Sequence, residues 1–444
     1  MLRPIDDARL AAAGIRKLTG RHLVLYTDLP ADPEVDRLPA VFDLAVPQWA
    51  DYFGLNQPVG RSPTSTKAQV DAWQVRGFLI KDRAKFESLG LMPPPGSDHF
   101  INGISLSGQF WLYEQPTAYY RRHLMLHEGT HAFMGSLLGG CGPVWYMEGT
   151  AELLATHRLD EATGKLTLRT MPRDREEVPM LGRIELLRAA RENKRLLGLP
   201  AVMQIDNRGL IENEAYAWCW SASVFLDSHP RYRERFRGLR RHVLARNFNE
   251  IARSEYEEDW PDLLNEWQAF VAALDHGFDF ERMSIDFRRG DRLRNGASPP
   301  ITVQADRGWQ SSRVRLDAGQ TYRITASGRF QIAEETISAN EKSSWPSEAG
   351  GVTVEYYAGK PLGLLLGAIV PERSASTPTE PATRGASHGA ETKADSASFA
   401  QPIAIGLGTT FQSPSSGTLY LRVNDSAGRL HDNRGTLAVT IEVK

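Results

Sequence analysis

The chain has 444 residues, 41% hydrophobic and 24% charged, with 52 Lys and Arg against 54 Asp and Glu and a formal net charge of −2. That length exceeds what one hydrophobic core organises, so two or three domains are expected, and the composition excludes a disordered or fibrous chain. Near-neutral charge excludes the basic footprint of a nucleic-acid binder, and the longest apolar run, Pro361–Val370, is too short for a spanning helix of about 20 residues.

Residues 22–27 (HLVLYT) read as a strand, and within 34–53 Leu38, Val41, Phe42, Ala45, Trp49 and Phe53 recur at the spacing of one buried helix face. Further strands are expected at 73–80 and at Gly108–Tyr113, on either side of the turn-forming MPPPGSD, giving a small mixed sheet. From Ala118 onward the pattern turns helical, at 118–136, after Pro143, and at 182–195, 213–228, 231–245 and 259–275. The stretch 285–300 (from FRRGDRLRNGASPP) carries charge, Gly and Pro without apolar periodicity and reads as a linker. Beyond it, short β-rich runs at 312–316, 320–327, 351–357, 418–423 and 436–443 are bounded by Gly, Asn, Asp and Ser, as in an all-β sandwich. Residues 371–398 have almost no large apolar side chains and are expected to be disordered. The expected organisation is therefore an α+β domain over 1–284, a linker over 285–300 and a β-sandwich over 301–444.

The segment RRHLMLHEGTHAF contains His127-Glu128-Gly129-Thr130-His131. Helical spacing puts His127 and His131 on one face, one turn apart, where both imidazoles reach one metal ion. Glu128, beside the first ligand, can take a proton from water at the metal's open position. Seventeen residues after His131, VWYMEGTAELLATH offers Glu148 and Glu152 one turn apart on a second helix. Catalytic zinc commonly has three protein ligands plus water. Glu148 is the choice for the third, and Glu152 for the carboxylate that accepts the second N–H of a liganding histidine. His123 also precedes His127 by four residues, but no Glu follows it and it reads as an exposed surface residue. Cys141 and Cys219 are compatible with one bridge or two thiols.

HExxH followed by W-Y-M-E-G-x-A-E-L resembles the gluzincin peptidases of the MA clan, over roughly residues 20–280. The resemblance implies a zincin-like fold, zinc on His127, His131 and Glu148, and a peptide or protein substrate. It also implies an edge strand above the metal that pairs with the extended substrate, for which Gly108–Tyr113 is the candidate. The chain has no Gly-x-Met-x-Asn exopeptidase motif, which argues for endopeptidase action. Tyr216, in AYAWCWSASVFL, leads the candidates for holding the oxyanion.

Near the end, SGTLYLRVNDSAGRLHDNRGTLAVTIEV gathers Asn424, Asp425, Asp432 and Asn433 in one loop between strands, and such oxygen-rich loops suit calcium. This pattern, with the earlier WQSSRVRLDAGQTYRITASGRF, resembles the PA-IL type of calcium-dependent galactose-binding lectins. Carried over by position, Asp425, Asp432 and Asn433 would be calcium ligands, and a galactoside-type glycan the partner. Such a module would also suit an extracytoplasmic protein, although no secretory leader is readable at the start of this sequence. Two function classes follow: a zinc peptidase targeted by a carbohydrate-binding-like module, or a carbohydrate-binding adhesion protein with a vestigial metal domain.

Overall fold

In a computed structural model the protein is a mixed α/β chain that divides into two compact units, Met1–Glu257 and Glu258–Lys444. The structure describes residues 4–56, 67–97, 99–206, 212–293, 296–338, 341–371 and 398–444. Residues 372–397 of the insertion expected to be disordered lie outside the described residues. No described helix is long and apolar enough to cross a membrane.

The main sheet of the first unit has five strands among the described residues: β1 (Arg16–Thr19), β2 (Leu23–Thr27), β3 (Val75–Ile80), β4 (Gly103–Leu106) and β5 (Gln109–Tyr113). They pair in the order β1-β2-β3-β5-β4, with β2, β3 and β5 parallel and the two outer strands antiparallel. Strand β5 is therefore interior, which corrects its reading as the edge. Ser107 and Gly108, at φ 49° and 75°, make a tight turn that folds 103–106 back onto 109–113. Consecutive positive φ values are the signature of such two-residue hairpins, and β4 is the edge strand on that side of the sheet.

Helix α1 (Leu38–Tyr52) lays Val41, Phe42, Ala45 and Trp49 into the core, all 4% exposed or less. Then come α2 (Ala118–Leu137), α3 (Val144–Ala155), a small hairpin of β6 (His157–Leu159) and β7 (Leu166–Leu168), α4 (Arg183–Glu192) and α5 (Asn213–Ser228). The helix expected over 231–245 is shorter, Arg233–Gly238 running into a 3-10 turn at Leu239–His242, and a further helix spans Phe248–Glu255.

In the second unit, helix α6 (Trp260–Ala273) precedes, among the described residues, eleven strands: β8 (Ile301–Gln304), β9 (Gln310–Leu316), β10 (Thr321–Ser327), β11 (Arg329–Ser338), β12 (Glu341–Glu348), β13 (Gly350–Tyr357), β14 (Lys360–Pro371), β15 (Ile403–Ala404), β16 (Gly408–Gln412), β17 (Gly417–Val423) and β18 (Arg434–Val443). One sheet runs β12-β11-β18-β10-β16 with β8 on β18; the other runs β13-β14-β17-β9 with β15 on β14. Both contribute to one core, Tyr322, Ile324, Val439 and Ile441 from the first meeting Leu316, Leu365, Leu419 and Leu421 from the second. The continuous apolar run 361–370 forms β14, because a strand covered on both faces has no reason to alternate. Its second face packs with Ala269 of α6, Ile285, Trp309 and Tyr420. The stretch read as a linker is stitched to both sheets: Asp291 N donates to Arg313 O (3.1 Å), and Ser298 N to Ile441 O (2.8 Å).

Candidate functional site

Thr117 caps α2 by accepting from Tyr120 N, and Pro143 precedes the first turn of α3. The glycine after Glu148 sets how closely α3 approaches α5: a methyl group on Gly149 would lie 2.3 Å from Cys219 O and from Ser223 Oγ. Only a residue without a side chain fits such a backbone crossing. The result is that Glu148 and the HEGTH turn of α2 face one another.

His127 Nε2 lies 3.1 Å from Glu148 Oε2 and 3.1 Å from His131 Nε2, and His131 Nε2 lies 3.3 Å from Glu148 Oε2. Ligands at about 2.0–2.1 Å from one tetrahedral ion stand about 3.3 Å apart. The triangle therefore has the dimensions of three ligands to one small cation, and its buried His and Glu groups could hold a metal ion. Its electrostatics agree. Burial acts to lower His127, but hydrogen bonds with Glu148 and Glu152 outweigh it and raise the imidazole to about 9. Burial would raise Glu148, yet the charge of His131 and the bond to His127 hold its carboxyl at about 2. The pocket stabilises positive charge at its centre.

Glu128 is 6% exposed and its carboxyl is raised by burial, against the lowering influence of His127 and His131. Tyr216, on α5, has its ring 6.3 Å from that of His127. Burial also pushes the Tyr216 phenol up, so it stays protonated and able to donate. Glu152 Oε1 stands 3.3 Å from His127 Nδ1, the nitrogen that faces away from the triangle.

Two partners escaped the sequence reading. Arg183, from α4, grips Glu152 with both arms, Nε to Oε2 at 2.9 Å and Nη2 to Oε1 at 2.8 Å. Its guanidinium also lies 5.6 Å from the centre of the Tyr216 ring. Burial would raise Glu152, but Arg183 and then His123 hold its carboxyl well below the usual range. The reading of His123 as an exposed residue is corrected: it is fully buried, its Nε2 3.3 Å from Glu152 Oε2. It also belongs to a second cluster with metal-binding potential among the described residues, His123, His127 and Glu152. The bidentate grip of Arg183 already neutralises that carboxylate, so the His127, His131 and Glu148 triangle is the better cation site. The i, i+4 spacing of His123 and His127 marked a shared face; only the packing of α3 on α2 decided that the face was interior.

In the β-sandwich, Asp425 (1% exposed) and Asn433 (0%) come together, Asn433 Nδ2 donating to Asp425 Oδ2 at 3.0 Å. The Asp432 side chain turns to the neighbouring strand, its Oδ2 accepting from Glu334 N at 3.0 Å. Asp432 Oδ1 and Asn433 Oδ1 are buried without a hydrogen bond among the described residues. Asp425 and Asn433 thus bring together a carboxylate and an amide, oxygen donors of the type hard cations take, while the Asp432 carboxylate is engaged elsewhere. Burial raises the Asp425 carboxyl to about 6, against the bonds from Asn433 and Ser426. Native Asp425 thus keeps a proton that the unfolded chain has released, so its contribution to stability falls as pH rises from about 4 to about 6 and is level above that. In chelator, Asp425→Asn is expected to gain on the wild type by about 1–3 kcal/mol between pH 4 and pH 7. Denaturant titrations at both pH values measure it, and a pH-independent difference would rule out the buried-carboxylate account.

No protein-family model matches the chain, and no curated protein matches it. Among solved structures, one described as the EclA N-terminal domain, a PllA-like lectin, covers 34% of this chain and 98% of its own at 18% identity, with a TM-score of 0.21. A superposition that loose carries no argument about ligand.

Proposed function

We propose that the first unit is a zincin-like, zinc-dependent peptidase of the gluzincin type, acting within peptide chains. The observation that carries this reading is the triangle of His127, His131 and Glu148, with side-chain atoms 3.1–3.3 Å apart and Glu128 next to the first ligand. Zinc held by these three residues would supply Lewis acidity toward the scissile carbonyl and bring the pKa of water near 7. Glu128 takes the water proton and passes it to the leaving amine. Glu152, held by Arg183 and 3.3 Å from His127 Nδ1, would orient that imidazole so that its Nε2 faces the metal. Tyr216 donates to the carbonyl oxygen as negative charge develops there. The outer edge of β4, the last strand in the sheet order, would offer backbone groups to an extended substrate strand.

A second reading concerns the sandwich. The unsatisfied Oδ1 of Asn433, whose amide bonds buried Asp425, favours a calcium-dependent binding module, with a galactoside-type glycan as its partner. Fused to a hydrolase, it would raise the local concentration of a tethered substrate.

The test is metal analysis of the purified chain combined with cleavage of a broad peptide library. Stoichiometric zinc, with cleavage lost on chelation and restored by zinc, is the expected result. Zinc bound without cleavage of any peptide would discard the peptidase reading and leave a binding protein with a vestigial metal domain.

A further inference from the structure

The side chains of the triangle hold one another, and Glu152 is held by Arg183. Glu128 differs: among the described residues no hydrogen bond or ion pair reaches its carboxylate. What it does have is a neighbour without a side chain. A methyl group built on Gly103, the first residue of edge strand β4, would come 2.7 Å from Glu128 Oε1 and 3.1 Å from its Cγ, with Leu112 Cδ2 closing the space at 3.0 Å. The carboxylate therefore rests directly against the edge-strand backbone, in a seat that exists only because residue 103 is glycine. The backbone of Gly103 is not in the left-handed region, so space rather than conformation is what the missing side chain provides.

We infer that Gly103 is a positioning residue for proton transfer, seating the Glu128 carboxylate by contact with the edge-strand backbone. This rests on the peptidase reading for its functional meaning, while the seat itself is a property of the fold. It also links the edge strand to the base, since whatever shifts the start of β4 shifts Glu128.

The atoms a new methyl would meet are the ends of flexible side chains, so Gly103→Ala should fold and move Glu128 rather than the strand. The test uses the full zinc-loaded chain and has two arms. In the first, Gly103→Ala is expected to keep its zinc and its KM while kcat falls about 100-fold, the scale of a 1 Å misplacement of a reacting group. On a Glu128→Gln background the same change is expected to alter the residual rate by less than about twofold, because two residues acting through one group are not additive. An unchanged kcat in the single variant, or a full second loss in the double, would overturn the inference. The second arm needs no substrate: a crystal structure of Gly103→Ala is expected to show the Glu128 carboxylate displaced from β4, and a carboxylate left in place refutes the inference. Absence of cleavage by the wild type would count against the peptidase reading alone, because the crystallographic arm still decides whether Gly103 seats Glu128.

Discussion

Glu128→Gln is expected to lower kcat by about 100- to 10,000-fold, the range that a positioned general base contributes, while bound zinc stays at wild-type stoichiometry. The two halves of that expectation come from different observations. Glu128 stands outside the triangle of His127, His131 and Glu148, so neutralising it removes no ligand. Its own carboxyl is raised by burial, which brings it nearer the range where a base accepts a proton at neutral pH and returns it. The amide of Gln is nearly isosteric and fits the seat against Gly103, so the loss reads chemistry rather than packing. Steady-state kinetics with metal analysis on the same preparation decides it. Loss of zinc together with activity would make Glu128 a ligand, and a drop of only a few-fold would move the base elsewhere.

The second large effect concerns stability. Arg183→Met is expected to destabilise the first unit by about 3–5 kcal/mol, because it leaves the Glu152 carboxylate buried and without its cation. At about 2–4 °C per kcal/mol for a unit of this size, the melting temperature should fall by roughly 10 °C. Adding Glu152→Gln to Arg183→Met is expected to recover much of the loss, since the stranded charge is then gone. Thermal unfolding of the four forms measures the coupling. A single variant that melts within a degree or two of the wild type would mean that the Arg183 grip contributes nothing net. Metal affinity should weaken in Arg183→Met as well, because a carboxylate no longer fixed from behind orients His127 less well.

Much of the site could be read along the chain because its parts are helical and local. His127 and His131 share a face at any time that segment is a helix, and Glu148 and Glu152 do so on theirs. The sandwich strands with clean alternation, such as Thr321–Ser327, were equally legible. What periodicity could not supply was anything that depends on two distant segments meeting. Strand β4 was missed because Gly103–Leu106 is four residues long and half-buried throughout, with no alternation to read. Strand β14 was passed over because a run of apolar residues has no period.

By itself the sequence determined a chemistry: two imidazoles and a carboxylate on one turn, two more carboxylates on another, and a loop rich in oxygen donors. The tertiary structure decided which of these meet. It set Glu148 against His127 and His131 at ligand spacing, brought Arg183 from 31 residues beyond Glu152 to hold it, buried His123 and made β4 the edge against which Glu128 rests. The physical reason is one of range. Side-chain direction within a helix follows from backbone geometry common to every sequence, whereas the crossing of α3 on α5 at Gly149, and of Glu128 on Gly103, depends on close packing between elements that only the folded chain brings together.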